Sequence, residues 1–138
     1  MHPLTATPCP EAGLASPFDA ALEERRTATI DMVRKALDER RGLLAFQPVV
    51  QARLPARPAF YEGLIRIMDP QNRVIPARDF MAAVETSEIG RRIDCLALEL
   101  GLQTLAVEPS IRLSINMSAR SIGYPAWLAT LERGLRHD

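Results

Sequence analysis

The chain has 138 residues, 47% apolar and 25% charged, enough for one ordinary domain with a real core and typical of a soluble globular class. Basic and acidic residues balance at 17 each, so charge points to no nucleic-acid polymer and no polybasic membrane patch as a general partner. There is no apolar run near the ~18 residues of a membrane segment and no signal-peptide pattern. The two cysteines, Cys9 and Cys95, lack metal or disulfide spacing, which predicts a reduced, cytoplasmic protein.

Residues 1–18 hold Pro3, Pro8, Pro10 and Pro17 among small residues. Proline fixes φ and removes a donor, so a disordered tail is expected there, with one domain over 19–138. Residues 19–41 carry Ile30, Val33 and Leu37 at helical spacing, with Gly42 as a stop; this predicts an amphipathic helix with a narrow apolar stripe. Residues 43–50 read as a strand that Pro48 confines to an edge or an irregular position. A second strand is expected over 58–67. The link between them, Gln51 to Arg57, is seven residues long. A parallel connection needs about a dozen or more, so these two strands, if adjacent, run antiparallel.

Asp69-Pro70-Gln71-Asn72 is a turn by composition. The short apolar stretch Arg73-Val74-Ile75 follows, and Pro76 can open a helix over 77–85 with Phe80, Ala83 and Val84 inside. Thr86 and Ser87 are candidate caps for a longer helix over 88–106, with Ile89, Ile93, Leu96 and Leu100 as its main stripe. A third strand over 111–117 alternates cleanly and follows a connection long enough for a parallel crossover. Gly123-Tyr124-Pro125 breaks the chain. A last helix over 126–135 has Trp127, Leu128, Leu131 and Leu135 as its apolar residues. The pattern is α/β.

Charge inside the apolar run Phe60-Tyr61-Glu62-Gly63-Leu64-Ile65-Arg66 is costly unless it meets a partner, a metal or a ligand. Alternation puts Glu62, Leu64 and Arg66 on one face and Tyr61, Gly63, Ile65 and Ile67 on the other. Asn116 lies on the polar face of the third strand, and Gln47 is a candidate from the first. Glu62 and Asn116 are hard oxygen donors suited to Mg²⁺ or Mn²⁺. Arg66 is a planar fork suited to phosphate. Together they are minimal equipment for phosphodiester hydrolysis. The plainer alternatives pair Glu62 with Arg66 or another cation on a solvated face, and tie Asn116 to a nearby turn. His2 and His137 are terminal and form no metal pair. Cys95 is expected to be a core residue.

Four blocks in order carry a resemblance. Phe46-Gln47-Pro48-Val49-Val50, Glu62-Gly63-Leu64-Ile65-Arg66, Val74-Ile75-Pro76-Ala77-Arg78-Asp79-Phe80 and Leu113-Ser114-Ile115-Asn116-Met117-Ser118 resemble the EAL-domain family of bacterial cyclic-di-GMP phosphodiesterases. The match runs from about Phe46 to Leu135, and Gly63 stands where the family name has alanine. The resemblance implies a modified (β/α) barrel whose first strand runs antiparallel to its neighbour, with Mg²⁺ or Mn²⁺ as cofactor. Glu62 and Asn116 would be metal ligands. Gln47, Leu64 and Arg66 would contact cyclic-di-GMP, which the family opens to pGpG.

A complete barrel takes about 250 residues, and three of its eight strands are expected here. The family's further glutamate ligand, paired aspartates, lysine and last loop glutamate find no match. The chain is therefore expected to be the N-terminal portion of an EAL-type barrel, a natural truncation or a fragment, inactive by itself. A degenerate cyclic-di-GMP-binding or protein-interaction module is the alternative. Unpaired sheet edges favour self-association or a partner that supplies the missing barrel half.

Overall fold

A computed structural model describes residues 16–136. The first helix, α1, runs Pro17–Asp38. The Ser16 side chain accepts from the Phe18 N–H, while the Asp19 carboxylate accepts from the Ser16 N–H, a reciprocal cap with proline in the first turn. The helix therefore starts inside the expected tail of residues 1–18. Pro17 is a helix opener here, a role its place among other prolines concealed. The rest of that tail, with His2 and Cys9, lies outside the described residues, as does His137.

Strand β1 (Gly42–Gln51) and strand β2 (Leu54–Met68) form an antiparallel hairpin. The expected link of residues 51–57 shrinks to Ala52 and Arg53, because both strands run on past their apolar parts. Register shifts near Val50 absorb the irregularity next to Pro58. On its other edge β2 pairs antiparallel with β3 (Val74–Pro76) and parallel with β4 (Leu113–Ile115). The four strands make an open sheet. β3 adds to the three strands expected. β4 is shorter than the expected 111–117, since its chain leaves β2 after Ile115.

The helix expected over 77–85 is broken. A 3₁₀ turn covers Ala77–Asp79, and a single turn, α2 (Met81–Val84), follows. Phe80 between them sits at φ −134°, outside the helical region, and is 1% exposed; the backbone bends so that this ring enters the core. Helix α3 (Glu88–Val107) is capped by the Ser87 hydroxyl, which accepts from the Ile89 N–H. Helix α4 covers Pro125–Leu135. No helix is long and apolar enough to cross a membrane among the described residues.

The core lies between the sheet and the helices. Val33, Ala36 and Leu37 of α1 meet Ile65 and Ile67 of β2, Phe80 and Val84, and Ile89, Ile93, Leu96 and Ala97 of α3. Helix α4 departs from its expected face: Leu128 and Leu135 are 44% and 62% exposed, whereas Thr130 is buried. α4 turns small residues to α3, and a Cβ on Gly134 would collide with Leu102. Close helix approach requires small side chains at the contact, and apolar spacing alone did not reveal it.

The turn after β2 forms as expected. Asn72 takes the left-handed conformation at φ 60°. Buried Asp69 accepts from the N–H groups of Gln71 (2.8 Å) and Arg73 (2.9 Å) and from Arg73 Nε (2.6 Å). Burial pushes the Asp69 carboxyl up, but the bonds from the backbone and side chain of Arg73 and from Gln71 outweigh it and hold the carboxyl below its ordinary range. A depressed pKa confers stability that is present above the unfolded value, about pH 4, and is lost as pH falls through the folded value. In urea unfolding, the gap between the wild type and Asp69→Asn is expected to be full at pH 7 and to shrink below about pH 4. A gap that widened in acid would contradict the turn.

Candidate functional site

Alternation along β2 sorts its side chains as the sequence predicts. Gly63, Ile65 and Ile67 are buried against the helices, while Glu62, Leu64 and Arg66 lie on the open face. Register then assembles that face. Gln47 stands opposite Glu62, Ala45 opposite Leu64, and Leu43 opposite Arg66. On the other edge Ser114 stands opposite Glu62. One residue beyond β4, the Asn116 amide Nδ2 donates to Glu62 Oε1 at 2.8 Å.

Gln47, Glu62, Leu64, Arg66 and Asn116 thus share one sheet face. They do not all touch. Arg66 lies four positions from Glu62, about 13 Å along the strand, and its Nη1 donates to the Ile65 carbonyl at 3.0 Å. Neither residue belongs to an ion pair among the described residues. The simple Glu62–Arg66 pair fails on distance. Asn116 bonds to Glu62 of β2 rather than to a nearby turn.

A cleft of about 310 Å³ opens where the chain after β4 leaves β2, bordered by Gly63, Leu64, Ile65, Asp94, Asn116 and Ser118 among others. On that edge Leu64 and Ile65 fall between the β4 and β3 pairings. Asp94 of α3 is the residue missed from the sequence. It is 7% exposed and accepts from the Ser118 N–H (3.0 Å) and the Ser121 hydroxyl (2.6 Å). The available signal was a carboxylate within the buried stripe of α3, the same kind of anomaly that marks Glu62. Its neighbour Cys95 is half-buried, and burial together with the Asp94 and Glu88 carboxylates pushes the thiol pKa up. That makes it a poor nucleophile.

Glu62 and Asn116 meet the chemical type of a hard divalent site, a carboxylate beside an amide oxygen donor. Asn116 Oδ1 makes no hydrogen bond among the described residues, so it is available to a cation. Two protein ligands leave the rest of the coordination shell to water, a substrate phosphate or further residues. Among the described residues no group of three or more His, Cys, Asp or Glu is placed to hold a metal.

Gly63 has a packing reason. A Cβ there would lie 2.7 Å from Ile115 Cδ1 and 3.3 Å from Leu44 Cδ1, and one on Gly101 would lie 2.9 Å from the same Ile115 atom. The Ile115 methyl fills the notch between the two glycines, so the strand is closely packed at Gly63 without a Cβ there. Gly63→Ala is expected to cost about 1 kcal/mol, the low end for overpacking because the obstructing atom ends a side chain. Ile115→Val in the same chain is expected to recover most of that loss in a denaturation double-mutant cycle. Simple additivity would contradict the notch.

The family model for the EAL domain matches residues 30–138. No curated protein matches the chain. Among solved structures it is similar to the FimX EAL domain of Xanthomonas citri in complex with c-diGMP, at 22% identity and a TM-score of 0.70, over 86% of this chain and 47% of that one. It is also similar to the FimX EAL domain of Pseudomonas aeruginosa bound to c-di-GMP, at 25% identity and a TM-score of 0.63, over 78% and 44%. The PaMucR phosphodiesterase in complex with c-di-GMP matches at 23% identity and a TM-score of 0.58, over 80% and 47%. The chain spans about half the length of these structures.

Proposed function

This chain belongs to the EAL domain family, and we propose that its open sheet face is one wall of a cyclic-di-GMP phosphodiesterase site. The observation that carries this is the 2.8 Å contact of Glu62 on β2 with Asn116, the residue just after β4, on the same face as Arg66. Glu62 and Asn116 would hold Mg²⁺ or Mn²⁺, which when bound supplies a Lewis acid and an activated water. Arg66 binds a phosphate of the dinucleotide through its planar fork. Gln47 and Leu64 flank it on the same face and orient the ligand against the sheet. The remaining ligands for hydrolysis have to come from elsewhere, from further residues of a longer chain or from a partner that completes the barrel. In this proposal residues 16–136 are part of one domain, the N-terminal portion of the barrel, and act in the cytoplasm.

A second reading, a binding or regulatory module, is favoured by one observation. The Asn116 amide Nδ2 donates to Glu62 Oε1, so protein atoms by themselves tie these two residues together on the open face.

Calorimetric titration of the 138-residue chain with cyclic-di-GMP, with and without Mn²⁺, tests the proposal. Saturable binding is expected, with no release of pGpG. Absence of saturable binding in both conditions would sink it.

A further inference from the structure

We propose that Asp94 is a positioning residue that clasps the segment after β4 and thereby aims the Asn116 amide at Glu62. Only its consequence for ligand binding rests on the function proposed above.

The last strand pair on this edge is Gly63 with Ile115. Asn116 follows immediately and has no strand partner, so pairing cannot hold its backbone. Two residues later the Ser118 N–H donates to Asp94 at 3.0 Å, and the Ser121 hydroxyl donates to the same oxygen at 2.6 Å. Ser118 in turn caps the short 3₁₀ turn Ala119–Ser121 by accepting from the Arg120 N–H at 3.2 Å. Asn116 is thus fixed from both sides, by β4 before it and by the carboxylate after it. Asp94 is itself held firmly. Its neighbours Ile93 and Ala97 belong to the core that packs on Ile65, so the helix supporting the back of the sheet also sets the front. No cation pairs with Asp94 among the described ion pairs, and the clasp is its evident use. A buried carboxylate that accepts two donors is strongly bonded, and its loss leaves those donors unpaired.

The test is the side-chain amide resonance of Asn116 in the ¹⁵N-labelled chain, assigned by its loss in Asn116→Ala. Glu62→Ala marks its position when the bond to Glu62 is gone. Asp94→Ala is expected to move the resonance most of the way to that position and to weaken cyclic-di-GMP binding about tenfold or more, as loss of an outer supporting contact does. Ser121→Ala keeps the Ser118 bond and is expected to shift the resonance less, in the same direction. An unmoved Asn116 resonance in folded Asp94→Ala overturns the proposal. If that variant does not fold, an unmoved resonance in Ser121→Ala does so. Should the wild type not bind the dinucleotide, the functional reading fails, while the resonance still decides what Asp94 does.

Discussion

Phe80→Ala is expected to destabilise the domain by about 3–5 kcal/mol, the range for emptying a buried phenylalanine site. Among the described residues Phe80 heads the fully buried side chains by volume, and it is 1% exposed. It occupies the joint between the 3₁₀ turn and α2, where the backbone leaves helical geometry to admit the ring. Its cluster joins α1, β2, α2 and α3, so a cavity there loosens every layer together. Domains are stable by only about 5–15 kcal/mol, and this single change removes a large part of that. Urea unfolding should show a fall in midpoint at nearly constant slope. Phe80→Leu should cost distinctly less, since it keeps most of the apolar volume. A loss under about 1 kcal/mol for Phe80→Ala would contradict the central place of this ring.

Arg66→Ala is expected to weaken cyclic-di-GMP binding by about 10- to 100-fold, the worth of one charge-assisted contact to phosphate. Stability should change little, because the guanidinium is only half-buried and its one described bond is to the adjacent Ile65 carbonyl. Arg66→Lys should recover only part of the affinity, since an ammonium keeps the charge and loses the planar fork. Higher salt should narrow the gap between wild type and Arg66→Ala. Equal affinities for the two chains would remove Arg66 from the site.

The sheet face was legible because strand chemistry is periodic. A carboxylate and an arginine at even positions of one apolar run had to share a face. The short link after the first strand excluded a crossover, and the antiparallel pairing of β1 with β2 follows from that limit. The start of α1 was concealed, because Pro17 sits among other prolines and the cap between Ser16 and Asp19 forms only once the helix does. The break at Phe80 could not be read from helical spacing, since burial of one ring outweighed propensity over a short segment.

Sequence by itself determined the α/β class, the direction of the first strand and the set of residues on the open face, because these depend on local period and link length. Only the tertiary structure decided the contacts among residues far apart in the chain. Asp94 meets Ser118 and Ser121, Ile115 fills the notch of Gly63 and Gly101, and α4 turns Thr130 and Gly134 toward α3. Which side chain meets which is set by register and by how closely layers pack, and neither quantity exists until the sheet and helices have come together.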